Sequence, residues 1–126
     1  MPARLRVAQV GVANYGARRR QIMRASGLFE LVSAYDLNPA AMEQCQKEDG
    51  ARPVASYTEL LATPGVEAVV ISTGAKFHAE QIIAAAEKGL HVFVEKPLCA
   101  TPEEVQSLLA VQRKTGVVIG LSLIHI

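Results

Sequence analysis

"RVAQVGVANYGARRR", residues 6–20, passes from an apolar run through a turn bounded by Gly11 and Gly16 into a segment with the composition of a helix. Parallel strands need a crossover between them, so a strand followed by a glycine turn and a helix reads as the opening unit of a parallel α/β sheet. The rest of the chain repeats that unit. Apolar runs recur at residues 29–35, 53–55, 68–72, 91–94 and 116–120, with helix-like stretches between them. Six strands alternating with helices predict a doubly wound, Rossmann-like α/β domain over residues 1–120.

The helices carry their own start signals. Asn38-Pro39 is an N-cap followed by proline at the first helical position, and Thr101-Pro102-Glu103-Glu104 adds a capping-box glutamate to the same arrangement. Ser56 with Glu59 repeats the box. Ala79, Ile82, Ile83, Ala86 and Leu90 fall at the three- and four-residue steps of a helix lying on a sheet, and Gly89 is placed to stop it.

Composition narrows the function. The chain has 126 residues, 50% hydrophobic and 20% charged, which suits a single packed core. A formal net charge of +1 gives no broad attraction for nucleic acid or an anionic membrane, so small molecules are the expected partners. Consecutive helical residues point roughly 100° apart, so Arg18, Arg19 and Arg20 cannot form one flat patch; a solvated helix face is expected. Cys45 and Cys99 have neither metal-ligand spacing nor disulfide density, which predicts no metal site and a reducing compartment. Near the N-terminus Gln9 interrupts the apolar run and the arginines soon follow, so no secretory core forms. No window reaches membrane-spanning length. A cytoplasmic location follows as the expectation.

The glycine turn points to a ligand. In a dinucleotide-binding turn the first glycine permits the bend, the second lets backbone approach the pyrophosphate, and the third lets helix pack on strand. Here Gly11 and Gly16 hold the outer positions and Ala13 the middle one. A methyl group there lifts the pyrophosphate slightly, while the helix N-terminus still offers its N–H groups. About 20 residues beyond Gly16, Asp36 ends the second strand, as the dinucleotide fingerprint requires. Its carboxylate can accept from both ribose hydroxyls and would repel a 2′-phosphate, so NAD is expected over NADP.

At the end of the fifth strand stand Glu95, Lys96 and Pro97. Ligands of open α/β sheets sit beyond the carboxyl ends of the strands. A lysine there can hydrogen-bond a substrate oxygen and stabilise the charge that develops on it. Glu95 would orient the lysine or support its charge, and Pro97 would fix the turn, through a cis bond if the corner is tight.

"GVANYG" at 11–16, Asp36, "STGAKFH" at 72–78 and "VEKPL" at 94–98, in that order, resemble the nucleotide-binding half of the Gfo/Idh/MocA oxidoreductases, the glucose-fructose oxidoreductase, inositol dehydrogenase and rhizopine-catabolism family. The resemblance covers about residues 3–120, and the Glu-Lys-Pro corner is its most specific element. It implies an NAD(P)-dependent enzyme acting on sugars, polyols or related secondary alcohols, with Lys96 as the catalytic lysine. It also implies a cofactor site of Gly11, Ala13, Asn14, Tyr15, Gly16, Asp36, Thr73, His78, Glu95 and Lys96. Where the family usually reads Thr-Pro-Asn before a histidine, this chain keeps Thr73 and His78 but has Gly74 and Ala75, losing one amide contact to the cofactor.

The last six residues, Leu121–Ile126, read "LSLIHI", which is what the mosaic-end adapter of transposon sequencing libraries encodes when translated. They are expected to be a non-native tail, with the family's second α/β domain missing. That domain would carry further catalytic residues, substrate selection and the homo-oligomer interface, so the fragment is expected to be inactive. The competing expectation is a non-catalytic dinucleotide-binding module that senses or scaffolds.

Overall fold

The computed structural model describes residues 4–121. Its elements alternate: β1 (Leu5–Val10), α1 (Tyr15–Ser26), β2 (Phe29–Tyr35), α2 (Pro39–Asp49), β3 (Arg52–Pro53), α3 (Tyr57–Leu61), β4 (Ala68–Ile71), α4 (Ala75–Glu87), β5 (His91–Val94), α5 (Pro102–Thr115) and β6 (Ile119–Leu121). The strands form one sheet in the order β3-β2-β1-β4-β5-β6, and every pairing is parallel. The chain order reverses between β1 and β4, which places the switch point of this doubly wound sheet beyond their carboxyl ends.

Alternation along the strands decides which helix each residue meets. Ala8 and Val10 of β1 join Leu60, Ile82 and Leu108 in the larger core under α3, α4 and α5. Val7 faces the other way and packs with Met23 of α1 and Val70 of β4. A separate cluster of Val12, Ala34, Cys45 and Ala51 lies under α2.

The start signals in the sequence are realised, except that the Ser56–Glu59 box closes only in part, with the Glu59 carboxylate accepting from Ala55 N–H. Asn38 and Ser56 accept from the backbone N–H groups of Ala40 and Glu59, and Thr101 with Glu104 closes a full capping box on α5. Two strands differ from expectation. Gly116 is the left-handed C-cap of α5, with φ 73°, so the last strand begins only at Ile119. The third shrinks to Arg52–Pro53 at the sheet edge, where a proline without an N–H is tolerated. Leu121 pairs with Val94 and thus continues β6, one residue past the expected boundary of the domain; residues 122–126 of the expected tail lie outside the described residues.

The arginine run corrects the expectation of a solvated face. Arg18 is exposed, but Arg20 is 3% exposed, and its guanidinium donates to Val12 O at 3.1 Å, Glu48 at 2.9 Å and Asp49 at 2.5 Å. Burial disfavours its charge, but the hydrogen-bonded carboxylates of Asp49 and Glu48 outweigh that and push its pKa up. Arg24 binds the other oxygen of Asp49 at 2.6 Å, so α1 and α2 are stapled by a buried ionic cluster. The same 100° rotation that forbids a flat patch sends Arg19 to Glu95 and Arg20 to Glu48 and Asp49 and leaves Arg18 in solvent. Among the described residues no helix is long and apolar enough to cross a membrane.

Candidate functional site

Beyond the ends of β1, β2 and β4 lies a cleft of about 530 Å³. Gly11, Ala13, Asn14 and Tyr15 form one wall, Tyr35 to Asn38 the second, and Ser72, Thr73, Gly74, Phe77 and Gln81 the third. Among the described residues no lysine or arginine lines it.

The glycine turn is held together by close approach. A Cβ on Gly11, at φ +82°, would stand 2.5 Å from Ser72 O, and one on Gly16 would stand 2.1 Å from Gly11 O. Both positions therefore exclude every side chain. Gly16 N–H donates to Ala13 O at 2.8 Å, closing a tight turn whose first central residue, Asn14, takes φ 54° and ψ −118°. Such a conformation suits glycine best, so strain falls on Asn14 and leaves the middle position of the motif free for Ala13. Beneath the turn, the buried Gln9 donates from Nε2 to Gly11 O and Gly16 O, both at 2.9 Å, tying its two ends together. Sequence reasoning missed that role, since a glutamine in a strand looks like a mere interruption.

Helix termini mark the polar side of the cleft. The N-caps of α2, α3 and α5 each carry a side-chain cap, but those of α1 (Asn14) and α4 (Gly74) carry none. Asn14 and Gly74 both line the cleft, so two helix N-termini present N–H groups and positive dipole ends to it without side-chain competition. Asp36 faces them from β2. Its Oδ2 accepts from Val12 N–H and its Oδ1 from Asn38 N–H, both at 2.9 Å. A carboxylate offers about four lone-pair sites, so each oxygen keeps one for a further donor. The hydroxyl oxygen of Ser72 is buried, has no hydrogen-bond partner among the described residues, and its residue lines the same cleft. Thr73 donates from Oγ1 to Gln81 Oε1 at 2.6 Å, which leaves the Gln81 amide N–H groups as donors at the wall.

These features fit a dinucleotide: a glycine cradle and open N–H groups for a pyrophosphate, and a fixed carboxylate for a ribose. Among the described residues no group of histidines, cysteines and carboxylates forms a metal site.

The Glu-Lys-Pro corner follows β5. Its Lys96-Pro97 peptide is cis. Lys96 is exposed and makes no ion pair among the described residues. Glu95 does not turn to Lys96; its Oε1 accepts from Arg19 Nε at 2.8 Å. His78 is also placed differently from the expectation of a cofactor contact. It is 1% exposed, with Nδ1 2.7 Å from Pro97 O and Nε2 2.8 Å from Thr73 O. Both carbonyls can only accept, so the ring is committed to the backbone of the loops after β4 and β5, behind the cleft.

Comparison with known proteins agrees with this geometry. Residues 5–123 match the Gfo/Idh/MocA profile, described as an oxidoreductase family with an NAD-binding Rossmann fold. The chain is 37% identical over 99 residues to the 1,5-anhydro-D-fructose reductase of Ensifer adhaerens, covering 78% of this chain and 29% of that protein. It is 32% identical over 120 residues to the scyllo-inositol 2-dehydrogenase (NAD(+)) of Bacillus subtilis, covering 94% and 35%. The crystal structure of KijD10, a 3-ketoreductase from Actinomadura kijaniata in complex with NADP and TDP-benzene, superposes with a TM-score of 0.88 at 29% identity, covering 95% of this chain and 37% of that one. The chain thus spans about a third of the length of these relatives.

Proposed function

The chain belongs to the Gfo/Idh/MocA oxidoreductase family, and from that premise we propose that it is the dinucleotide-binding part of an NAD-dependent dehydrogenase or reductase acting on a secondary hydroxyl of a sugar or polyol. The observation that carries this reading is the cleft itself, where two helix N-termini without side-chain caps and an anchored Asp36 meet over a glycine cradle.

When bound, the nicotinamide ring supplies the hydride chemistry. The residues of this chain hold and orient. The turn from Gly11 to Gly16, with Ala13, Asn14 and Tyr15, receives the pyrophosphate on backbone N–H groups. Asp36 accepts the ribose hydroxyls through its two remaining lone-pair sites, and the absence of lysine and arginine from the lining among the described residues favours NAD over NADP. Thr73, in the loop after β4 and hydrogen-bonded to Gln81 of α4, faces the cofactor. Lys96 holds the substrate oxygen, polarising a ketone or stabilising the negative charge of a hydroxyl that gives up its proton. Glu95 and His78 support the corner that carries Lys96. Substrate selection, further catalytic residues and any subunit interface are assigned to sequence outside these 126 residues, so the chain alone binds dinucleotide without turnover.

In the full-length protein, Lys96→Ala should lower kcat by about 10²–10⁴-fold, the usual range for a lost proton-handling or charge-stabilising group. NAD affinity should stay within about threefold, since Lys96 lies outside the pyrophosphate cradle. Unchanged turnover would remove Lys96 from the chemistry. NAD binding with no turnover of any sugar or polyol by the unmodified protein would favour a non-catalytic module.

A further inference from the structure

Resting on the assignment of Lys96 above, we propose that Arg19 is a positioning residue that fixes the Glu-Lys-Pro corner to the pyrophosphate-binding helix. Arg19 lies three residues past Gly16 on α1, the helix whose N-terminus lines the cleft. Its guanidinium reaches across to β5 and engages it at two points. The carbon Cζ stands 4.9 Å from the centre of the Phe93 ring, and Nε donates to Glu95 Oε1 at 2.8 Å. Phe93 and Glu95 are two residues apart along an extended strand, so both present to the same face of the sheet, the one that α1 covers.

The pair is sheltered as well as close. The two side chains are only 22% and 16% exposed, so solvent screens them less than it would a surface ion pair. A guanidinium that stacks on a ring while donating to a carboxylate has little rotational freedom, and it transmits that order to Glu95. The Glu95 backbone N–H donates to Ile71 O at 3.0 Å, so the residue is fixed at both ends. On the far side, His78 holds the carbonyl of Pro97. Lys96 sits between these two anchors and makes no ion pair among the described residues, which leaves its ammonium available to a substrate. Remove Arg19, and Glu95 is free to move, and the corner that follows it loses its hold on α1.

The test uses the full-length protein with NAD and a polyol it turns over. Arg19→Met should lower kcat by about tenfold or more while the Kd for NAD stays within about threefold, and Arg19→Lys should recover most of the loss by keeping the charge. Glu95→Gln should show the same pattern, and the Arg19→Met/Glu95→Gln double variant should be no slower than the slower single, because the two residues act as one unit. A kcat for Arg19→Met within about twofold of the unmodified protein overturns the proposal, as do losses that multiply in the double variant. If the unmodified protein turns over nothing, it is the reading of Lys96 that falls. The clamp is then judged by amide exchange at Glu95, whose N–H donates to Ile71 O: acceleration by about tenfold in Arg19→Met upholds it, and unchanged exchange overturns it.

Discussion

Replacing Gly16 by alanine adds one methyl group at the tightest point of the domain. Its Cβ would stand 2.1 Å from Gly11 O and 2.7 Å from Gly11 C, against the roughly 3.5 Å that non-bonded carbon contacts require. The start of α1 must therefore retreat from the turn by about 1 Å or more. The turn cannot yield instead, because Gly11 is itself wedged against Ser72, where even an added Cβ would come within 2.5 Å of the carbonyl. Overpacking usually costs about 1–3 kcal/mol, and obstruction by backbone on both sides puts this case near 3 kcal/mol, or roughly 10 °C in Tm for a domain of this size. The same retreat draws the α1 N–H groups away from the pyrophosphate, so NAD affinity should fall by about tenfold or more, the equivalent of one charge-assisted hydrogen bond. Gly74→Ala is the control: its φ is −68° and the nearest atom, in the Phe77 ring, lies 3.8 Å away, so stability should change by less than about 0.5 kcal/mol. Urea unfolding and NAD titration of both variants make the comparison. A Gly16→Ala protein as stable as Gly74→Ala and as tight-binding as the unmodified chain would refute the steric argument.

Three further outcomes follow from the interior of the domain. Arg20→Met should cost about 3 kcal/mol in urea unfolding, because it strips a buried partner from Asp49, itself 3% exposed, and leaves Arg24 alone to balance it. Asn14→Gly should raise stability by about 1 kcal/mol by relieving the φ 54° strain, and an unchanged or lower midpoint would show that Asn14 carries no strain. Burial pushes the Cys45 thiol up to about 11, with Asp49 adding to the effect and Arg20 opposing it. The unfolded thiol ionises near its ordinary value of 9.0 and the folded one does not, so the thiol's contribution is intact below pH 9 and is lost as pH rises towards 11. Between pH 9 and 11 stability should fall by up to about 1.4 kcal/mol per pH unit more in the unmodified chain than in Cys45→Ala. Tyr57 is also shifted upward by burial but is common to both proteins, so parallel curves would contradict the Cys45 assignment.

The helices of this fold were legible because their signals are local. Asn38-Pro39, Ser56 with Glu59 and the Thr101–Glu104 box announce α2, α3 and α5 within a few residues, and each helix forms, although Glu59 reaches back to Ala55 N–H and not to Ser56 N–H. The order of βα units likewise foretold a parallel sheet, since crossovers permit little else. What escaped was set by partners distant in sequence. Arg19 and Arg20 looked like solvated charge because Glu95, Glu48 and Asp49 lie far along the chain and meet α1 only after folding. Gln9 looked like a flaw in a strand because its partners are two backbone carbonyls brought together by the turn. His78 was legible as a residue of the family pattern, but its direction depends on how the loops after β4 and β5 close.

The most direct test of the account is calorimetric titration of this chain with NAD and, separately, with NADP. If the cleft between Asp36 and the glycine turn is a dinucleotide site, NAD should bind, and NADP should bind about 30-fold more weakly, the equivalent of roughly 2 kcal/mol of repulsion between its 2′-phosphate and the Asp36 carboxylate. No binding of NAD, or equal binding of both, would contradict the assignment of Asp36 and of the cleft it guards.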